Sequence, residues 1–242
     1  MKVDVIISAD DIKEEKIKDK VVVVIDVLRA TSVMVTALKN GCKAIIPVKT
    51  VEEAKDIASQ CRNSYVLGGE RQGLKIDGFD LSNSPLEYTE SVVKEKTVVM
   101  TTSNGTQAIK NSESAKRIFI GALINGTAIS KKVLSINEDV VFVNAGTYGQ
   151  FSMDDFITTG YMIDRLRHIA QQQGMEDVLE LTDVAKTSEY IYNSNPTVTG
   201  YLKNALHYKR MEELGYFEDL TYCLSKDNTD IVPEYIKGYV KI

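Results

Sequence analysis

Short runs of β-branched residues alternate with segments of helical periodicity through the first two thirds of the chain. These runs are apolar throughout rather than at every second position, which is typical of strands covered on both faces of a sheet. The predicted strands cover residues 3–8, 21–27, 44–48, 64–68, 97–101, 117–122 and 140–144. The predicted helices between them lie near residues 30–40, 51–61, 85–95, 104–112 and 125–136.

This alternation predicts an α/β fold with a largely parallel or mixed sheet covered by helices on both faces. A longer helix is predicted to begin at residue 153, and the C-terminal third is mostly helical. No linker rich in Pro, Gly or Ser and no block of charge marks a boundary, so we predict one domain over residues 1–242.

Residues 20–48 and 96–122 repeat one order of features: a Lys, a Val-rich strand, a Thr/Ser turn, a helix and a second strand. An internal duplication would give two similar halves whose polar turns face a common cleft. Because successive strand–helix–strand units resemble one another in any case, the ordinary interpretation stays open beside the duplication.

Composition restricts the classes of ligand and the cellular location. Apolar residues make up 43% and charged residues 26% of the chain, and the net charge is −5, so there is no general positive field for nucleic acid or anionic lipid. Cys42, Cys61 and Cys223 form no CxxC pair, which indicates reduced thiols. No signal-peptide pattern is present, and the longest apolar run, 21–28, is too short to span a bilayer. We therefore expect a soluble cytoplasmic protein, while a homo-oligomer stays open.

Polar residues end four of the predicted strands, where open α/β sheets bind their ligands. The first is Asp26, the only charge in an apolar strand; a buried carboxylate needs a metal, an arginine or a proton. We predict Asp26 as a catalytic residue and metal ligand, with Arg29 and Thr31 binding substrate. The alternative is an Asp26 that only pairs with Arg29. A DxDxT phosphatase motif of the haloacid-dehalogenase type is not complete, because Leu28 occupies the position of its second Asp.

The second cluster is the stretch "GGERQGLKIDGFDLSNSP", residues 68–85. Glu70 and Asp80 offer the hard oxygen ligands that Mg²⁺ prefers, and we predict both as metal ligands. Arg71 and Lys75 offer positive charge to an anionic substrate. The alternative is a solvated loop of mixed charge.

The third cluster, "TTSNGT" at residues 101–106, directly follows an apolar strand. Ser103, Asn104 and Gly105 are predicted to bind substrate, because a hydroxyl-rich turn at a helix start can hold an anion through its N–H groups. Simple capping of the next helix by Ser103 is the alternative.

The fourth cluster, residues 144–156, places Asp154 and Asp155 at the start of a helix. Acidic residues are favoured there by the helix dipole alone. Two adjacent acids cannot both face one cleft, so we expect one to act as ligand or base and the other to cap the helix or face water. Both are retained as candidate catalytic residues.

The two histidines carry no metal-ligand spacing. His168 and His207 lie within helical sequence, and we predict surface or packing positions for both. No CxxxxxR phosphate loop and no GxxxxGK[ST] nucleotide loop is present. Acids, bases and N–H-rich turns at several strand ends together predict a Mg²⁺-dependent site for a phosphate ester.

The motifs "DVLRATS", "GGERQGLKIDGFDLSNSP", "TTSNGT" and "NAG" with the following "DD" resemble those of the 2-phosphosulfolactate phosphatase family, in the same order and spacing. The resemblance covers essentially the whole chain, although the C-terminal third matches less distinctively. It implies a Mg²⁺-dependent acid phosphatase that hydrolyses (2R)-2-phospho-3-sulfolactate to sulfolactate and phosphate, a step toward coenzyme M in methanogens. Because family members also occur in bacteria without that pathway, the resemblance supports the reaction more firmly than the physiological role.

Two other functions stay open. One is a phosphatase for a different small 2-phospho-hydroxyacid, and the other is a non-catalytic protein that binds a small polyanion. For the chemistry, we favour direct attack by water, with an acid from 154–155 as base, over attack by Asp26. Leu28 leaves a covalent route without its general acid, and Arg29 lies close enough in sequence to pair with Asp26.

Overall fold

The computed structural model of the protein describes residues 1–60 and 64–242. Within these residues eleven strands form one mixed sheet in the order β5-β4-β6-β3-β11-β10-β7-β2-β8-β1-β9. The strands are β1 (Lys2–Ile6), β2 (Val21–Ile25), β3 (Ala44–Pro47), β4 (Tyr65–Arg71), β5 (Leu74–Lys75), β6 (Thr97–Thr101), β7 (Arg117–Gly121), β8 (Val140–Asn144), β9 (Glu180–Leu181), β10 (Glu234–Ile236) and β11 (Tyr239–Lys241). The predicted α/β class is thereby confirmed.

The helices are α1 (Glu14–Ile17), α2 (Ala30–Lys39), α3 (Val51–Ser59), α4 (Glu90–Val93), α5 (Gly105–Asn111), α6 (Gly126–Ile136), α7 (Met153–Gln172), α8 (Asp183–Ser194), α9 (Val198–Leu202), α10 (Leu206–Glu213) and α11 (Phe217–Cys223). None of the described helices is long and apolar enough to cross a membrane. The predicted end of the second helix at residue 61, and Cys61 itself, lie outside the described residues.

One predicted helix, residues 85–95, is wrong as a continuous element. The structure has a 3₁₀ turn at Pro85–Glu87 and then the single-turn helix α4. Between them Tyr88 is fully buried, and its hydroxyl donates to the main-chain oxygen of Ser82. The gain from burying this ring outweighs the local preference for a continuous helix.

The sheet consists of two parallel groups of strands. Strands β7, β2, β8, β1 and β9 form one group, and β4, β6 and β3 form the other. The hairpin β10–β11 lies between the groups and is antiparallel to β7 on one side and to β3 on the other. By strand pairing, the two groups therefore run in opposite directions.

The predicted repeat units each form a strand, a helix and a strand. Residues 20–48 contain β2, α2 and β3, and residues 96–122 contain β6, α5 and β7. Each unit crosses from one parallel group to the other, and β2 pairs with β7 while β3 pairs with β6. An origin by duplication stays a prediction.

Strand β2 shows why the strands are apolar at every position. Val21, Val23 and Ile25 belong to a core cluster that also contains residues of α6, α7 and α8. Val22 and Val24 point to the opposite face, into a cluster with residues of α2 and α5. Because both faces of the sheet are covered, each alternate side chain is removed from water, and each buried valine contributes about 1.5–3 kcal/mol.

Candidate active site

A cavity of about 740 Å³ opens where the loops after β2, β4, β6 and β8 meet the start of α10. These loops contact one another although β2 and β8 belong to one parallel group and β4 and β6 to the other. The predicted site residues that line the cavity are Asp26, Arg29, Glu70, Ser103, Asn104 and Asp154. The structure therefore brings together one member or more of each predicted cluster.

Asp26 lies at the floor of the cavity, directly after β2. Its Oδ1 accepts a hydrogen bond from the main-chain N–H of Ala30 at 3.3 Å, whereas none of the described residues donates to Oδ2. Burial raises the pKa of Asp26 to about 6; the charges of Glu70 and Asp154 add to this effect and that of His207 opposes it. A buried carboxylate with a free oxygen is a group prepared to take a proton or a cation.

Thr31 and Gly105 support Asp26 rather than line the cavity. The Thr31 hydroxyl donates to the main-chain oxygen of Asp26 at 2.9 Å and accepts from its main-chain N–H. A Cβ on Gly105 would lie 2.6 Å from Asp26 Oδ2, closer than van der Waals contact permits. Thr31 therefore holds the main chain of Asp26 and Gly105 leaves room for its carboxylate, while their predicted contact with substrate stays a prediction.

Glu70 is the second carboxylate of the cavity floor, where it is 7% exposed. Its Oε1 accepts from the main-chain N–H of Ser103 at 2.7 Å, and its Oε2 accepts from that of Gly73 at 2.8 Å and from the Ser103 hydroxyl. Both hydrogen-bond donors of Ser103 are thus directed to Glu70, and substrate binding by residues 103–105 stays a prediction. Asn104 lines the cavity and accepts from the main-chain N–H of Tyr148 through Oδ1, and none of the described residues bonds its amide nitrogen.

Asp154 and His207 form a hydrogen-bonded pair on the cavity wall. Nδ1 of His207 lies 3.2 Å from Oδ2 of Asp154, and the Ser152 hydroxyl donates to the other carboxylate oxygen. Burial raises the pKa of Asp154, but the His207 charge and these hydrogen bonds outweigh burial and lower it. Burial lowers the pKa of His207, but Asp154 and Asp26 outweigh burial and raise it. The pair therefore favours an aspartate beside an imidazolium.

The structure corrects the sequence interpretation of His207. The segment "NALHYKR" predicts a packing position, yet His207 lines the cavity and none of the described residues bonds its Nε2. No local pattern signals this placement, because it depends on the contact with Asp154. His168 matches the expectation, since it is half exposed and bonds the main-chain oxygen of Asp164 on its own helix.

Asp155 does not reach the cavity, although we predicted it as a candidate catalytic residue. Its Oδ1 accepts from the main-chain N–H of Val27 at 2.9 Å and its Oδ2 from that of Gly146 at 3.1 Å. Burial raises its pKa well above the ordinary value, and the charges of Asp154 and Asp26 add to the effect. Asp155 thus joins the ends of β2 and β8, and of the two adjacent acids only Asp154 faces the cavity.

Arg29 lines the cavity, but its charge is already paired. Nη1 donates to Asp219 Oδ2 at 2.5 Å, Nη2 donates to the main-chain oxygen of Gly73 at 3.0 Å, and the guanidinium stacks on Tyr216 at 4.0 Å. The Ser84 hydroxyl bonds the other oxygen of Asp219. The alternative in which Arg29 pairs with Asp26 is therefore not what the structure contains.

The structure does not place Arg71, Lys75 and Asp80 with the residues that line the cavity, and their predicted roles stay predictions. Strand β4 continues to Arg71 and pairs with β5, and because side chains alternate along a strand, Arg71 faces away from the side of Glu70. Arg71 donates to Thr101 Oγ1, and Asp80 Oδ2 accepts from the main-chain N–H of Leu67. Lys75 is exposed.

The carboxylates that line the cavity suit a metal ion that takes few protein ligands. Among residues 1–60 and 64–242, no three His, Cys, Asp or Glu side chains are arranged to hold a metal. The predicted trio of Asp26, Glu70 and Asp80 is not assembled, because Asp80 does not line the cavity that Asp26 and Glu70 share. Mg²⁺ often takes only one or two carboxylates and completes its shell with waters and substrate phosphate oxygens. The free Oδ2 of Asp26 beside Glu70 suits that pattern.

Comparison with known proteins adds a family and close relatives. The family model described as 2-phosphosulpholactate phosphatase matches residues 6–238. A protein of Clostridium acetobutylicum named probable 2-phosphosulfolactate phosphatase is 55% identical over 240 residues, covering 99% of this chain and 100% of its own. A protein of the same name from Clostridium tetani is 56% identical over 241 residues, covering 100% of both chains.

Proposed function

The chain belongs to the 2-phosphosulfolactate phosphatase family, and from this we propose that it hydrolyses 2-phospho-3-sulfolactate to 3-sulfolactate and phosphate. The observation that carries the proposal is the Oδ2 atom of Asp26, which accepts no hydrogen bond from the described residues and lies in a cavity that Glu70 and Asp154 also line. A protein that merely bound a polyanion would gain nothing from three buried carboxylates, because they repel the ligand. A phosphatase that uses a cation requires them.

We propose that Asp26 and Glu70 hold Mg²⁺. The ion would neutralise charge on the phosphate oxygens and act as a Lewis acid toward the phosphoryl group. This pairing is supported by the electrostatic effect of Glu70 on Asp26, which helps to raise the Asp26 pKa in the absence of a cation. Ser103 and Gly73 hold Glu70 in place through three hydrogen bonds.

The substrate's own charges would meet donors that remain free on the cavity wall. The Asn104 amide nitrogen and the N–H groups of Arg29 that Asp219 and Gly73 do not occupy are such donors. Arg210 also lines the cavity; it pairs with the exposed Glu213 at 3.3 Å. We assign these groups to the carboxylate and the sulfonate.

His207 would protonate the leaving oxygen. In the hydrolysis, the bond from phosphorus to the substrate oxygen breaks and a bond to the oxygen of water forms. The leaving oxygen takes a proton from His207, and His207 recovers one from the water that attacked. Asp154 orients the imidazole through Nδ1 and stabilises its charged form, as a carboxylate does for a catalytic histidine elsewhere.

Direct attack by water stays the proposed route, although two sequence-based reasons for it no longer hold. Arg29 pairs with Asp219 rather than Asp26, and His207 supplies the acid that Leu28 cannot. The remaining reason is that an Asp26 carboxylate engaged with a cation is not free to attack phosphorus. With a substrate whose phosphorus is made chiral by oxygen isotopes, one direct attack by water inverts the configuration at phosphorus, whereas retention would reveal a phospho-aspartyl intermediate and overturn this route.

A cytoplasmic location is also proposed, because Cys42 and Cys223 are free thiols. The part played in coenzyme M synthesis stays an expectation from the family.

The assay that tests the function measures phosphate release from 2-phospho-3-sulfolactate with Mg²⁺ and with chelator. We expect release only with Mg²⁺ and a loss of at least about 10²-fold in Asp26→Asn. Asp56→Asn is the matched control, because Asp56 is exposed on α3, outside the cavity. Wild-type rates in Asp26→Asn, or equal rates with chelator, would contradict the proposal.

A further inference from the structure

One buried amide in the wall of the cavity has no hydrogen-bond partner among the described residues. Asn83 lines the cavity and is only 4% exposed. Its Oδ1 atom is buried and accepts no hydrogen bond, and no described residue accepts one from its amide nitrogen. The side chain therefore keeps its full capacity to bind a ligand.

Burial of an unpartnered amide destabilises a protein, because the amide gives up its hydrogen bonds to water and gains none in return. Within residues 1–60 and 64–242, three buried side-chain polar atoms lack a partner: Asn83 Oδ1, Asn144 Nδ2 and Thr147 Oγ1. Two of these atoms belong to residues that line the cavity. Unpartnered polar groups are thus concentrated at the candidate active site, where a ligand can supply the missing bonds.

The main chain on both sides of Asn83 is fixed by hydrogen bonds. Ser82 donates to Glu87 through its main-chain N–H at 2.6 Å and through its hydroxyl at 2.7 Å. The Ser84 hydroxyl donates to Asp219 Oδ1 at 2.7 Å. These protein contacts hold Asn83 in place, so a ligand does not have to order it on binding.

Asp219 connects this loop to Arg29, because its Oδ2 accepts from the guanidinium. Arg29 lines the same cavity as Asn83, and it keeps N–H groups that neither Asp219 nor Gly73 occupies. The positive charge of Arg29 attracts an oxyanion, and the N–H groups of both side chains can donate to its oxygens. One wall of the cavity thus combines a fixed cation with an unused amide.

We propose that Asn83, alongside Arg29, donates from its amide nitrogen to a non-reacting oxyanion of the substrate, which is its carboxylate or its sulfonate. The inference rests on the proposed phosphatase function and adds a specificity-determining residue to it. Both oxyanions offer only acceptor oxygens, so the substrate can use the nitrogen of the amide and not Oδ1. The product 3-sulfolactate keeps both groups and uses the same donor, whereas inorganic phosphate does not.

Two substitutions separate the donor from the shape of the side chain. Asn83→Leu removes the amide at similar volume, and kcat/KM for 2-phospho-3-sulfolactate should fall at least about tenfold. Asn83→Asp keeps the shape and an acceptor but replaces the donor with negative charge, and the loss should reach about 10²-fold. Calorimetry with Mg²⁺ should show 3-sulfolactate binding weakened by similar factors and, in Asn83→Leu, unchanged binding of inorganic phosphate. Asn193→Leu is the matched control, because Asn193 is exposed on α8, outside the cavity.

Chemical unfolding of the protein without ligand distinguishes a binding role from a structural one. Asn83→Leu should have a denaturant midpoint equal to or higher than that of wild type, because it removes a buried amide that no described residue bonds. A lower midpoint would show that the amide supports the fold and would overturn the inference.

The substrate 2-phospholactate, which lacks the sulfonate, identifies the group that Asn83 holds. If the loss in Asn83→Leu disappears with this substrate, the group is the sulfonate; if the loss persists, the group is the carboxylate. Unchanged kcat/KM in Asn83→Leu, wild-type activity in Asn83→Asp, or equal weakening of phosphate binding would overturn the inference and leave the phosphatase function standing. If wild type hydrolyses neither substrate while Asn83→Leu still weakens 3-sulfolactate binding, the phosphatase is rejected and the oxyanion site stands.

Discussion

Nδ1 of His207 lies 3.2 Å from Oδ2 of Asp154, although 53 residues separate the two in the chain. The contact joins the first turn of α10 to the first turn of α7 at the wall of the cavity. It turns a histidine with no recognisable sequence context into the best-placed proton donor among the described residues of the site.

His207→Gln should lower kcat by about 10²-fold or more, because glutamine cannot protonate the leaving oxygen. The raised pKa keeps the wild-type imidazole charged to a higher pH than a free histidine, so wild-type activity should fall as pH rises through that pKa. A pH–rate profile should show that this alkaline decline is absent from the variant. His168→Gln, which alters a half-exposed ring elsewhere on α7, should retain both rate and profile. A His207→Gln enzyme with the wild-type alkaline decline would remove His207 from the chemistry.

Asp26→Asn should stabilise the metal-free protein at neutral pH and not at acidic pH. The folded-state pKa of Asp26, about 6, exceeds the ordinary 3.8, so the folded state holds this proton more tightly than the unfolded state. The contribution of Asp26 to the free energy of unfolding therefore falls by about 3 kcal/mol as pH rises from about 4 to about 6, and it stays low at higher pH.

Chemical unfolding with chelator at pH 4 and pH 8 measures this difference. The variant should exceed wild type by about 2–3 kcal/mol at pH 8 and match it near pH 4. Asp56→Asn should show no such difference. If Asp26→Asn raised the free energy of unfolding equally at pH 4 and pH 8, burial of the charged carboxylate would not be the cause of the gain.

Gly105→Ala should lower both activity and stability. The added Cβ would lie 2.6 Å from Asp26 Oδ2 and from Ala30 Cβ, so the carboxylate or the start of α2 must move. Overpacking of this kind costs about 1–3 kcal/mol. Gly200→Ala is the control, since nothing lies within 4 Å of its added Cβ. Thermal unfolding and phosphate release report the two effects, and equal behaviour of the two variants would show that Gly105 is not constrained.

Asp219→Ala should destabilise the protein by about 3–5 kcal/mol, because it leaves the buried guanidinium of Arg29 without its counter-charge. The Arg29 and Asp219 side chains are only 2% and 4% exposed, so water cannot replace the lost partner. Glu90→Ala, which breaks an exposed pair with Lys94, should leave denaturant unfolding almost unchanged. Similar denaturant midpoints for Asp219→Ala and Glu90→Ala would show that the Arg29–Asp219 pair does not stabilise the fold.

The sequence predicted the elements that depend on local pattern. The apolar runs identify β2 and β8 correctly because the burial of both faces requires an apolar residue at every position. The same reasoning finds Asp26 and Glu70 as carboxylates at strand ends, and the structure brings both to one cavity. Strand β10 was missed, since three residues are too few to show a period.

Residues whose position depends on distant contacts were not predictable in this way. Asp219 meets Arg29 across 190 residues, and no spacing rule connects them. Asp154 and Asp155 are adjacent, and only the packing of α7 decides that the first lines the cavity and the second faces Val27. Arg71 and Lys75 looked like anion ligands because β4 was expected to end at Gly68 rather than at Arg71.

The central position of the β10–β11 hairpin affects how the chain acquires its structure during synthesis. Val240 pairs with Ile45 and Tyr235 with Ile118, so the strands that join the two parallel groups leave the ribosome long after their neighbours. Until then β3 and β7 each present an open edge, the kind of surface on which nascent chains associate wrongly. Pairing over such sequence distances also slows folding, so β3 and β7 keep these edges unpaired until β10 and β11 have been synthesised.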